Sequence, residues 1–306
     1  MRKGVVFMKK VWKMAVCGLV CAMAFCGCGT SESVSEEANA DRVVKKEFAD
    51  PVFEKYLRSA LGNLGGELTE GELGAIKQIG FDPLGYAMGI TYESYSDGYV
   101  DYDTAIPVPY ETTETNSYHE EELRIQSLED LRMLPNLEAV YLMDDDYDSV
   151  VFKNFNFVKD LPHLKELSGE YAGTSLEPLK HCKELETLRL DMATRAVTDF
   201  SPLSQCTSLK NLDLDWALEN EEAASVLENC TQVELLSFHL SDSTVLDLEP
   251  LKNFPNLKHL AIYDGTVENI DVLLELPNLE DVTLTCEGEE PDVIKTLLDS
   301  GVGVGP

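Results

Sequence analysis

The chain has 306 residues, 44% of them hydrophobic, enough to bury one large core or two ordinary ones. Its 24 Lys and Arg face 56 Asp and Glu, a formal net charge of −32. A field of that sign repels phosphate backbones and anionic headgroups. Nucleic acid is therefore excluded as a natural ligand, while a basic protein, a cationic peptide or divalent cations remain compatible.

Residues 1–27 form a leader. MRKGVVFMKKVWK holds five Lys/Arg and no acid, and MAVCGLVCAMAFCG follows as an apolar run of signal-peptide length, too short to span a bilayer well. Without those residues, 19 cations face the same 56 acids and the net charge becomes −37. Phe25-Cys26-Gly27-Cys28 resembles the lipobox of bacterial lipoproteins, in which a small residue precedes the lipidated cysteine. That resemblance implies acylation of Cys28, with palmitate as the expected chain. It also implies anchorage in the cell envelope, either outside the cytoplasmic membrane or in the outer membrane. Phe25 and Cys26 depart from the commoner Leu and Ala/Ser, and the competing reading is an ordinary signal peptide with incidental cysteines. Residues 28–46 include GTSESVSEEANAD, the composition of a flexible tether.

Residues 47–79 read as a helical N-terminal cap of two helices. Asp50-Pro51 supplies an acceptor and a first-turn proline ahead of Phe53, Tyr56, Leu57 and Leu61, and Gly62 ends the run. Thr69 and Glu72 form a capping-box pattern before Leu73, Ile76 and Ile79. Residues 80–124 interrupt the pattern with seven of the twelve tyrosines, and Asp97-Gly98 suggests a hairpin turn. Such an insertion suits recognition, because rigid rings bury area at little entropic cost. The favoured reading is that it packs on the cap or the first repeat.

From 125 to 288 one unit recurs about seven times. Copies begin at Leu128, Phe155, Leu176, Phe200, Ala224, Leu248 and Ile270, at intervals of 27, 21, 24, 24, 24 and 22 residues. Within each, positions 1, 4, 7, 10, 13 and 15 are mostly apolar. The first three have the spacing of a 3₁₀ or short helical turn. The last three read L-x-x-L-x-L, whose final pair points to one face of a strand. Cys182, Cys206 and Cys230 occupy the seventh column, where Leu134, Leu161, Phe254 and Leu276 stand in other copies; they read as small core residues.

This pattern resembles the leucine-rich repeat of the internalin-like kind. The resemblance implies an α/β solenoid with a parallel concave sheet, a helical N-terminal cap and a short C-terminal cap helix. One departure is that the turn asparagine of the family is replaced by Asp145, Ala172, Ala193, Ala217, Ser241, Gly265 and Glu287, so less regular turns are expected. Residues 289–306 supply the closing cap, with a helix from Pro291 to before Gly301 and Val293, Leu297 and Leu298 covering the last repeat. GVGVGP reads as a frayed end.

No catalytic motif, metal-ligand spacing or cofactor signature occurs, and the reading is non-enzymatic. Asp144 to Asp148 lacks the glycine and terminal acid of a calcium loop and reads as a solvated turn. The informative positions lie between the strand leucines. Tyr141, Arg189, Asp191, Asp213, Asp215, His239, His259 and Tyr263 fall on the concave face, with Trp216 close by. Adjacent strands lie about 4.8 Å apart, so Asp191, Asp213 and Asp215 crowd together with only Arg189 to offset them. Two readings stand level: a binding patch for a protein or peptide, a basic one fitting the charge, or a merely hydrated acidic sheet. The membrane is expected to be met through the lipid anchor only. The alternative for the whole chain is a structural or protective envelope lipoprotein without a dedicated partner.

Overall fold

The computed structural model describes residues 42–45, 47–81, 88–91, 125–142, 153–192, 197–287 and 291–305. Cys28 and its leader, tether residues 28–41 and 46, the Asp97-Gly98 turn with its surrounding tyrosines, and the Asp144 to Asp148 run lie outside them, as does the side chain of Trp216; tether residues 42–45 are extended and bonded to the cap instead of forming a free linker.

The chain after the tether begins with helix α1 (Pro51–Ala60), capped by the Asp50 carboxylate, which accepts the Val52 and Phe53 N–H groups. Phe53, Leu57 and Ala60 point inward, and Gly62 ends the helix at φ +69°, a left-handed conformation that suits glycine. Helix α2 (Glu70–Ala75) starts on the expected capping box of Thr69 and Glu72. It is shorter than the apolar spacing suggests. Ile76 is already extended and Ile79 lies in strand β1 (Gln78–Phe81), because two glycines weaken the helix and the next segment pairs with the sheet. Strand β2 (Met88–Thr91) returns antiparallel to β1.

The repeats supply β3 (Ala139–Leu142), β4 (Glu166–Tyr171), β5 (Thr187–Met192), β6 (Asn211–Leu218), β7 (Leu235–Leu240), β9 (His259–Tyr263) and β11 (Asp281–Leu284). Among the described residues they join β1, β2 and β12 (Gly303–Gly305) in one ten-stranded sheet in the order β12-β11-β9-β7-β6-β5-β4-β3-β1-β2, parallel except at β1–β2. A second pair, β8 (Val245–Asp247) and β10 (Thr266–Glu268), forms a short parallel ladder of its own.

Opposite the sheet, 3₁₀ turns such as Glu177–His181 and Glu249–Asn253 close each unit. Their column-seven N–H bonds back to the column-four carbonyl, as Cys182 does to Leu179 at 2.8 Å and Phe254 to Leu251 at 2.9 Å. The fifth copy differs. Residues Asn220–Asn229 make α-helix α3, with Ala223, Val226 and Leu227 buried. Its acidic, alanine-containing stretch favours a full helix over a single tight turn.

Leucines, cysteines and phenylalanines of all copies merge into one core. Leu134, Cys206, Cys230 and Phe254 are each fully buried in the seventh column. Where the turn asparagine is missing, Thr244 Oγ1 donates to Leu218 O at 2.8 Å and contacts the Ser241 hydroxyl at 2.9 Å, so hydroxyls hold that turn.

Helix α4 (Pro291–Asp299) covers the last repeat with Val293 and Leu297, whereas Leu298 is exposed. The glycine-rich tail is not frayed. Val302 N–H donates to Leu297 O, and Gly303–Gly305 becomes β12, parallel to β11. Glycine permits the approach: a Cβ at 303 would stand 3.2 Å from Asp281 Cβ.

Candidate functional site

The outward face of β3 to β11 carries two side-chain rows. One runs in unbroken register through Tyr141, Ser168, Arg189, Asp213, Ser237, Ala261 and Thr283. The other joins Glu170, Asp191 and Asp215, then meets a bulge between Leu214 and Ala217, so that His239 stands opposite Ala217 rather than Asp215.

The bulge does not separate the acid from the imidazole. Asp215 Oδ1 still lies 3.2 Å from His239 Nε2, and Asp264 Oδ2 lies 3.3 Å from its Nδ1. The Tyr263 ring stacks on the imidazole at a centroid distance of 4.6 Å and an interplanar angle of 24°. With a carboxylate at each nitrogen, only the doubly protonated ring donates to both; a neutral ring leaves one nitrogen lone pair facing an acid. Asp264 reaches this position from a left-handed residue, φ 61°, followed by Gly265 at φ 62°. Aspartate tolerates that conformation better than most side chains. A neighbouring pair, His259 Nδ1 and Asp281 Oδ2, is in hydrogen-bond contact between directly paired strand residues.

Arg189 is not the counter-ion of the aspartates. Its Nη1 donates to Glu166 Oε1 at 2.6 Å, and Glu166 is 3% exposed. A nearly buried carboxylate needs its charge compensated more than exposed ones do, so it captures the guanidinium. Tyr141 also belongs to this pair rather than to the open surface. It is 4% exposed, and its hydroxyl donates to Glu166 Oε2 at 3.0 Å. Tyr141 was expected among the concave-face contacts; its ring is buried, which left its hydroxyl needing a partner, and Glu166 supplies one. Asp191, Asp213, Asp215, His239, His259 and Tyr263 remain half-buried or exposed.

Beside this face runs a feature that the apolar columns did not point to. The residue before each strand pair alternates in sign: Lys77, Glu138, Lys165, Glu186, Lys210, Glu234, Lys258, Glu280. Each one's N–H bonds to the preceding one's carbonyl, as in Glu138 to Lys77 at 2.6 Å and Glu280 to Lys258 at 2.8 Å. Glu138 meets Lys77 at 3.2 Å and Lys165 at 3.0 Å; Lys210 meets Glu186 at 2.7 Å, and Lys258 meets Glu234 at 2.5 Å. Burial pulls the Glu138 carboxyl upward, yet the bonds and charges of Lys165 and Lys77 outweigh it and hold it below the ordinary range. The signal was present in column eleven, one place after an invariantly apolar position.

The solved structure of internalin C2 from Listeria monocytogenes is similar at 18% identity, covering 84% of this chain and 93% of that one, with a TM-score of 0.51. The fold is a leucine-rich-repeat solenoid. Internalin F from the same organism aligns at 15% identity over 84% of this chain and 75% of that one, with a TM-score of 0.42. No family model matches the chain, and no curated protein matches it. Among the described residues no cluster of His, Cys, Asp and Glu is placed to hold a metal ion, and no helix is long and apolar enough to cross a membrane.

Proposed function

We propose that this solenoid is a binding module that takes a basic protein or peptide on its concave face while lipid at Cys28 tethers it to the cell envelope. The observation that carries the reading is the grouping of Asp215, His239, Asp264 and Tyr263 on an open sheet already rich in acid. Solenoids commonly bind on such extended concave surfaces, and an aromatic ring amid carboxylates suits a lysine or arginine side chain. Arg189 is tied to Glu166. The six contact residues are Asp191, Asp213, Asp215, His239, His259 and Tyr263, with Arg189 at their border. The activity is binding rather than catalysis, and no cofactor is required.

The test is capture of a lysine-rich peptide by the full chain at low and moderate salt. Wild type should retain the peptide and release it as salt rises. Asp191→Lys with Asp215→Lys should abolish capture; unchanged capture by that variant sinks the reading. Anchorage is tested separately by Cys28→Ala, which should move the protein from the membrane to the soluble fraction. The structural-lipoprotein alternative gains if wild type captures no basic ligand.

A further inference from the structure

A groove of about 310 Å³ opens on the N-terminal cap, bounded by residues 42–45, α2 and the first 3₁₀ turn, Glu129–Met133. Residues 42–44 are pinned there as an extended segment: Val44 N–H donates to Leu68 O, and Glu70 N–H to Arg42 O, both at 2.8 Å. The floor is apolar, made by Val43, Val44, Leu73, Met133 and Pro135. Methionine adapts readily to the shape of what lies on it.

The rim is basic, against the net charge of the chain as a whole. Arg42, Lys45 and Arg132 converge on the groove against one acid, Glu70, in a chain where acids outnumber cations 56 to 24. Arg132 is held in place, its Nη2 lying 3.2 Å from the fully buried Asp130 carboxylate and 3.4 Å from Glu47 O. Its other N–H groups remain for a ligand. Arg42 meets Glu70 at 3.4 Å with both side chains well exposed, a pair that contributes little and exchanges readily. Lys45 is exposed and enters no ion pair among the described residues.

We propose that this groove binds a single-chain amphiphilic anion: a carboxylate head among Arg42, Lys45 and Arg132, with its aliphatic tail along the valine, leucine and methionine floor. Its volume is at the lower end for small-molecule sites, which fits one chain and not a two-chain lipid. Cations over an apolar floor select this chemistry twice. The head needs the rim, and each methylene that reaches the floor raises affinity roughly fourfold. The site is independent of the acidic face, which calls for a ligand of the opposite charge.

The experiment is calorimetric titration of the full chain with decanoate, octanoate, 1-decanol and acetate, each below its aggregation limit. Decanoate should bind once per chain. Octanoate should bind on the order of tenfold more weakly, for two methylenes fewer. Decanol should lose at least tenfold for want of a charge, and acetate should not register. Arg42→Glu with Lys45→Glu, both surface changes, should weaken decanoate at least tenfold at an unchanged Tm. The proposal is overturned if decanoate does not bind, if chain length makes no difference, or if the double variant binds decanoate like wild type. Binding of a polyglutamate peptide in place of decanoate would also overturn it, assigning the groove to acidic peptides.

Discussion

Asp130 holds the backbone of Asp50, and Asp50 holds the backbone just ahead of Asp130. Asp130 Oδ2 accepts the Asp50 N–H at 2.7 Å and its Oδ1 the Ala49 N–H at 2.9 Å, while Asp50 Oδ2 accepts the Gln126 and Ser127 N–H groups at 2.6 and 3.0 Å. Both side chains are buried, at 4% and 0% exposure. Residues some eighty positions apart are clasped across the tyrosine-rich insertion, joining cap to first repeat.

Removing either carboxylate strands buried donors. Asp130→Ala should cost about 2–4 kcal/mol, and Asp50→Ala a similar amount with its helix cap lost as well. The double variant should lose less than the sum, because the two act on one joint. Urea unfolding midpoints of the three proteins check this.

The alternating row predicts a charge-placement effect. Lys210→Glu sets three acids, 186, 210 and 234, side by side and should destabilise by about 1 kcal/mol. Lys295→Glu makes the same change of net charge on the exposed face of α4 and should cost next to nothing. Equal losses in thermal melts would show that only total charge matters.

Glu138 supplies a pH test. Its folded carboxyl is held below the ordinary value of 4.5, so its contribution is complete above about pH 4.5 and is lost as pH falls through the lower folded value. Glu138→Gln should therefore be less stable than wild type at pH 7, with the gap closing toward pH 3. Denaturant midpoints at the two pH values measure it.

The stacked cysteines should be inert while folded. Burial pushes the Cys182 thiol up to about 12 and the Cys206 thiol to about 11, and Cys230 is raised further still. The thiolate is the reactive form. Iodoacetamide at pH 8, read peptide by peptide in a mass spectrometer, should modify these three only at the rate of unfolding. Prompt labelling would contradict the packed column.

The core and the strand register were legible because apolar residues repeat at fixed offsets, and solenoid stacking converts each offset into a buried column. Gly303–Gly305 was not: a glycine-rich tail carries no apolar period, and its strand exists only because α4 turns it back onto β11. The site was half legible. Alternation placed Arg189 and Tyr141 on the outward face, but it could not show that Glu166, nearly buried between them, would claim both. Asp264 was hidden for another reason, since it lies in a turn beyond the repeat columns and acts through a left-handed backbone. Neither kind of information is periodic.

The charge row from Lys77 to Glu280 also gives the solenoid a parity. Excising any one internal repeat would bring two lysines or two glutamates together at the splice, whereas excising two neighbours restores the alternation. A variant lacking two adjacent repeats should therefore keep the row intact, where one lacking a single repeat would not. In charge, the repeating unit of this molecule is a pair of rungs, although in backbone it is one.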